Sequence, residues 1–191
     1  MKLKSKGCNV YVVEDQGKKI LIDTGTDGKI LTKQIDELSA IILTHAHFDH
    51  IAGARELERI FGCSIFAHPE DIPYVLGEKE FVFSGFLGTM AKMLEKISYY
   101  KAPENVKSIF ELKTDLKIVH LPGHTPGSIC IFKGSNAYCG DLLRNGGKLS
   151  MKSFCSDYER YRRSVREFLG MDWEKAFPGH GNEILKTTLN L

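Results

Sequence analysis

The sequence predicts an α/β sandwich, with β-sheets inside and helices outside. Two observations point to it. Apolar runs of strand length alternate with stretches of helical spacing, in two halves of the same kind separated by an irregular segment over residues 71–107. Several of these runs also leave through polar, glycine-containing exits, where a rigid strand hands over to an exposed loop. A chain of 191 residues can bury such a core as one domain. No repeat, low-complexity stretch or linker divides it.

In the first half, residues 10–13 and 20–22 read as strands joined by a turn at Asp15-Gln16-Gly17-Lys18, a β-hairpin. The second strand exits through Asp23-Thr24-Gly25. Residues 29–38 set Ile30, Leu31, Gln34, Ile35 and Leu38 at helical spacing and predict a helix. The unbroken Ala-Ile-Ile-Leu of 40–43 suits a strand buried on both faces. Residues 52–61 predict a helix with Leu57, Ile60 and Phe61 inward, stopped by Gly62, and 64–67 a short strand.

The segment 71–107 breaks this rhythm with Pro73, Gly77, Gly85, Gly88 and Pro103. Its middle is rich in aromatic residues and methionine, and a helix is expected over 87–97. In the second half, 117–121, 129–132 and 137–139 predict strands, and 159–169 an amphipathic helix. Residues 175–177 predict a last strand before Pro178.

Composition excludes more than it selects. A formal charge of +2 gives no push towards nucleic acid or acidic membranes. Lys2, Lys4 and Lys6 are not followed by an apolar stretch, so a signal peptide is not expected. The longest apolar stretch, 81–94, is interrupted by Ser84, Gly85, Gly88 and Lys92 and is too short to span a bilayer. Five cysteines, an odd number without a C-x-x-C pair, read as reduced thiols of a cytoplasmic protein.

The chemistry concentrates at strand ends. Thr44-His45-Ala46-His47-Phe48-Asp49-His50 follows the buried strand 40–43 and precedes a helix. Imidazole and carboxylate together form a donor set for zinc, iron or manganese. The plainer reading makes these surface polar residues, with Asp49 capping the helix. The run could not hold two ions alone, but three further exits follow predicted strands. They are Gly123-His124-Thr125-Pro126-Gly127, Gly140-Asp141 and Pro178-Gly179-His180-Gly181. Each is weak singly; together they bring four strand ends to one candidate site.

These motifs, in this order and with Ile22-Asp23-Thr24-Gly25 upstream, resemble the metallo-β-lactamase superfamily over residues 9–181. The resemblance implies a four-layer αββα sandwich with metals at one edge of its sheets. It implies a first metal site of His45, His47 and His124 and a second of Asp49, His50 and His180. Asp141 would bridge two divalent ions, zinc by expectation, with iron or manganese as alternatives. Asp23 would steady the ligand loops. True β-lactamases typically carry a cysteine at the bridging position, and Cys139 lies two residues too early to fill it. The complete set is therefore more similar to the glyoxalase II, lactonase and RNase Z branches.

A hydroxide bridging the ions, oriented by Asp49, would attack a small ester, thioester or lactone. With eleven residues after His180, the C-terminal helical domain that helps glyoxalase II bind glutathione is not expected. Two other readings stay open. One is a mononuclear iron oxidoreductase similar to persulfide dioxygenases; the flavin-linked di-iron relatives are disfavoured, because they carry Glu at the position of His47. The other is an RNase Z-type nuclease, although no RNA-gripping insert is evident.

Of the remaining residues, His68 and His120 read as structural, and Ser128 as a turn hydroxyl without a base partner. The insert at about 72–103 is either a lid over an apolar pocket or a packing segment, including a homodimer contact. Arg160, Arg162, Arg163 and Arg166, offset by Glu159 and Glu167, read as a solvated helix face.

Overall fold

The computed structural model describes residues 1–81 and 100–189. Two sheets form its centre. The first contains β1 (Lys2–Leu3), β2 (Val10–Asp15), β3 (Lys18–Ile22), β4 (Ala40–Ile42), β5 (Ser64–Ala67) and β6 (Val106–Ser108), in that spatial order. The second runs β11 (Ile184–Leu185), β10 (Lys175–Pro178), β9 (Asn136–Gly140), β8 (Ile129–Lys133), β7 (Lys117–His120).

The period-two alternation of each strand separates the molecule into layers. Tyr11, Val13, Ile20, Ile22, Ala40 and Ile42 of the first sheet meet Ile129, Ile131 and Tyr138 of the second between the sheets. The intervening residues Val10, Val12, Leu21 and Ile41 face outward, onto a core closed by Leu31 of α1 (Gly28–Thr32) and Leu57 of α3 (Ala54–Phe61). On the far side, Cys130, Phe132, Ala137 and Cys139 pack against Tyr161, Val165 and Phe168 of α5 (Tyr158–Gly170). Helix, sheet, sheet, helix is the four-layer arrangement that the motifs implied.

Strand direction decides where the polar exits meet. β3, β4 and β5 pair in parallel, so their C-terminal ends share one edge. β7 and β9 each pair antiparallel to β8, and β10 pairs parallel to β9. The C-terminal ends of β7, β9 and β10 therefore also share one edge. Backbone bonds at that end, from Ile129 N to Thr44 O (2.9 Å) and Asn9 N to Gly179 O (2.7 Å), tie the two sheets together.

Three expectations need correction or a boundary. The helix expected over 29–38 stops at Thr32. Gln34 then ties its amide to Lys4 in both directions, at 2.9 and 2.8 Å, turning the chain off the helix axis. Ile35 and Leu38 are still buried, but from irregular backbone beyond the turn at 33–34. The helix expected over 52–61 is α3 alone, preceded by the short α2 (Phe48–Ile51). Its buried residues are Ala54 and Leu57, whereas Ile60, on the flank of that stripe, is 54% exposed. The helix expected over 87–97 lies outside the described residues. The segment before it opens with the short α4 (Ile72–Val75).

Candidate metal centre

The four exits and their ligand-type side chains converge on one edge. His45, His47 and His124 form one triad, with ring centroids 4.5–4.8 Å apart. Asp49, His50 and His180 form a second, with His180 Nε2 3.0 Å from Asp49 Oδ2 and 3.4 Å from His50 Nε2. Asp141 lies between them: Oδ2 is 3.7 Å from His124 Nε2 and 3.5 Å from His180 Nε2, and Oδ1 is 3.4 Å from His50 Nε2. Asp49 is not the helix cap of the plainer reading. His47 occupies that position, and Asp49 sits in the first turn of α2, facing His180.

Hydrogen bonds on the far side of the rings fix which nitrogen is left over. Asp23 is buried and holds a left-handed backbone (φ 59) that a non-glycine residue adopts at some cost. Its carboxylate accepts from Thr44 N (2.8 Å) and Thr44 Oγ1 (2.8 Å) and pairs with His50 Nδ1 (2.8 Å). The one hydroxyl proton of Thr44 points at Asp23, so Thr44 Oγ1 accepts from His45 Nδ1 (3.0 Å). His124 Nδ1 faces Cys155 Sγ at 3.7 Å, and that thiol in turn donates to Met151 O at 3.5 Å. With Nδ1 protonated, His45 and His124 each turn a bare Nε2 lone pair inward, while His50 commits its Nδ1 to Asp23.

Those inward atoms are what a cation would satisfy. His45 Nε2, His124 Nε2 and Asp141 Oδ1 are buried with no hydrogen-bond partner among the described residues. Leaving a buried polar atom unmet costs about 1–3 kcal/mol, and several such atoms aimed at one place fit a bound ion. The residues present therefore fit a divalent metal.

Titration follows the same geometry. Burial, reinforced by neighbouring imidazoles, drives His45 and His47 well below the ordinary histidine range and takes His124 down to about 4. Burial would also raise the Asp49 and Asp141 carboxyls. The imidazoles, His50 first among them, outweigh it and hold both below the usual carboxylate range. His50 goes the other way: burial opposes its charge, but the acidic groups around it, Cys8 first and then Asp23 and Asp49, hold its pKa well above the ordinary value.

The loops are braced from the second half as well. Gly123 adopts φ +120 where its backbone meets α5, and a Cβ there would stand 2.1 Å from Tyr161 N. The Tyr161 hydroxyl donates to Leu142 O (2.9 Å) and accepts from Ser150 N (2.7 Å), and Ser150 Oγ donates to Asp141 O (2.7 Å). Ser128 accepts from Thr125 N at 2.9 Å, a turn hydroxyl as expected.

His68 and His120 stack with rings 3.8 Å apart and 16° from parallel. His120 Nε2 lies 2.9 Å from Pro126 O and His68 Nδ1 accepts from Glu70 N at 3.3 Å, so one nitrogen of each ring is engaged; with Glu70 the pair still brings three ligand-type atoms within 4.8 Å of one another, apart from the two triads. Arg162, Arg163 and Arg166 are exposed on α5, and Arg160 lies 4.0 Å from Glu70.

Sequence reasoning missed two residues. Cys155 lies in no motif. Asp71, 1% exposed, is hydrogen-bonded to both ligand loops. It had one legible signal: His68-Pro69-Glu70-Asp71 follows β5 just as the ligand motifs follow their strands.

The family model described as "Metallo-beta-lactamase superfamily" matches residues 4–180. A curated protein of Methanocaldococcus jannaschii, "Probable metallo-hydrolase MJ0888", is 28% identical over 91% of this chain and 87% of its own length. "Hydroxyacylglutathione hydrolase GloC" of Haemophilus influenzae is 30% identical over 80% of this chain and 74% of its own. Among solved structures, "TTHA1623 in a di-iron-bound form" superposes with a TM-score of 0.80 at 26% identity, covering 98% of this chain and 94% of that one.

Proposed function

Because the chain belongs to the metallo-β-lactamase superfamily, we propose that it is a dinuclear metal-dependent hydrolase of a small thioester, ester or lactone. One observation carries this reading. Two triads of ligand-type side chains stand side by side and share Asp141, with buried lone pairs on His45 and His124 aimed between them. Of the sequence-derived alternatives, a mononuclear iron site would leave Asp49, His50 and His180 without a purpose.

Two divalent ions held there would supply a Lewis acid for the scissile carbonyl and bring the pKa of an attacking water towards neutrality. The chain's own residues do the rest. His45, His47 and His124 present neutral imidazoles at pH 7. Asp49 and Asp141 stay ionised, yet two carboxylates do not neutralise two dications, so the centre still favours developing negative charge on a substrate oxygen. Asp49, whose side chain is 38% exposed, accepts an O–H from the attacking water on the open side and sets its direction.

The Haemophilus influenzae relative supports a thioester among the candidate substrates. The di-iron relative keeps iron beside zinc and manganese as the metal. The five free cysteines, four of them buried, support a reducing, cytoplasmic setting. A small molecule, not a nucleic acid, is the proposed partner. Among the described residues no helix is long and apolar enough to cross a membrane.

The test is reconstitution. Chelator-stripped protein is reloaded with zinc, manganese or ferrous iron and assayed on a panel of thioesters, esters and lactones. Hydrolysis restored by at least one metal is expected. Thiol-dependent oxygen uptake by the iron form, with no hydrolysis by any form, would overturn the reading.

A further inference from the structure

We propose that Asp71 is a positioning residue that locks together the two loops supplying the first triad, an inference that rests on the metal-binding reading above. His45 and His47 come from the end of β4 in one sheet, and His124 from the loop after β7 in the other. Their separation has to be set across the sandwich. Asp71, at the entry to α4, spans that gap.

Its Oδ2 accepts from Ala46 N at 2.9 Å, the peptide between His45 and His47. The same oxygen accepts from Thr125 Oγ1 at 2.6 Å, beside His124, and Oδ1 accepts from Gly127 N at 2.7 Å. The contact with the second loop is close enough that a Cβ on Gly127 would stand 2.8 Å from Asp71 Cβ and Cγ.

The carboxylate is itself fixed. Asp71 N donates to His68 O at 2.9 Å, and Asp71 O accepts from Tyr74 N and Val75 N at 3.0 Å. A carboxylate this deeply buried is costly to keep, and its hydrogen-bond donors, Ala46 N, Thr125 Oγ1 and Gly127 N, are all neutral. What it contributes is acceptor geometry: two oxygens receive donors from two loops at once, which an amide of the same shape could not do without turning its own N–H groups on a donor. Asp23 plays the corresponding part within the first half, where it reaches His50 directly and His45 through Thr44. Asp71 links the His45–His47 loop to the His124 loop through its side chain, beside the backbone bond from Ile129 N to Thr44 O (2.9 Å).

Zinc affinity by chelator competition in single-site backgrounds tests this. His180→Ala keeps the first triad intact, and His47→Ala keeps the second. Adding Asp71→Asn should weaken zinc about 10–100-fold in the His180→Ala background, the usual scale for losing a group that orients a ligand. In the His47→Ala background it should change affinity by less than about twofold. Thr125→Val, which removes one donor and keeps the fold's volume, should weaken the first triad in the same direction by a smaller factor. It carries the test if circular dichroism shows Asp71→Asn unfolded.

Equal losses in both backgrounds, or none in the first, would show that Asp71 is only part of the scaffold and overturn the inference. If neither background binds zinc before Asp71 is touched, the metal reading fails, and this inference with it.

Discussion

His50 and His124 sit in one cluster, yet they meet a metal in opposite protonation states. At neutral pH His124, with its pKa taken down to about 4, is already the neutral ligand, as are His45 and His47. His50, raised well above its ordinary value, carries an extra proton that an incoming cation must displace. The sign follows for each triad. Affinity at Asp49, His50 and His180 should climb with pH throughout the range below the raised pKa of His50. Affinity at His45, His47 and His124 should be flat near neutral pH and fall only as pH drops towards 4. Zinc competition across pH 5–9 in the single-site variants checks this; equal slopes would contradict it. The seven ligand-type residues that the structure brings together were singled out by the resemblance their motifs carry, since those motifs follow strands in a recognisable order. The Thr44 relay and the Cys155 contact were not legible. They depend on side-chain directions that spacing does not encode.

At the scale of elements, α5 acts as a buttress as well as a cover. Its buried stripe of Tyr161, Ser164, Val165 and Phe168 was predictable from the 3.6 period. Its contact with Gly123 was not, because a close backbone approach leaves no periodic signature. Gly123→Ala should therefore cost more than an ordinary loop substitution. A Cβ 2.1 Å from Tyr161 N, on a backbone at φ +120, forces the His124 loop away from the helix. A loss of about 3 kcal/mol or more is expected in denaturant unfolding, with weaker metal binding at the first triad. Wild-type stability in that variant would show that the loop is free to move. Strands with strong apolar runs, such as β4 and β5, were legible almost to the residue. The two-residue β1 and β11 were not, since pairs this short are fixed only by the neighbours they dock against.

At the scale of the whole molecule, the sandwich brings polar exits from distant parts of the chain to one edge. Tyr11 in the first sheet donates its hydroxyl to Pro178 O at 2.8 Å, and Asn9 Nδ2 donates to the same carbonyl at 2.9 Å. The exit carrying His180 is thereby held against the opposite sheet. The sandwich of sheets inside helices was legible from the alternation of strand-type and helix-type stretches, and its four-layer order from the resemblance the motifs carry; the pairing of strands across the sheets was not, because no local pattern records it. The central claim is that this edge holds two metal ions. Native mass spectrometry of apo-protein titrated with zinc tests it most directly. Wild type should take up two ions per chain, and His47→Ala and His180→Ala one each. Fewer than two in the wild type, or two in either variant, would contradict the account.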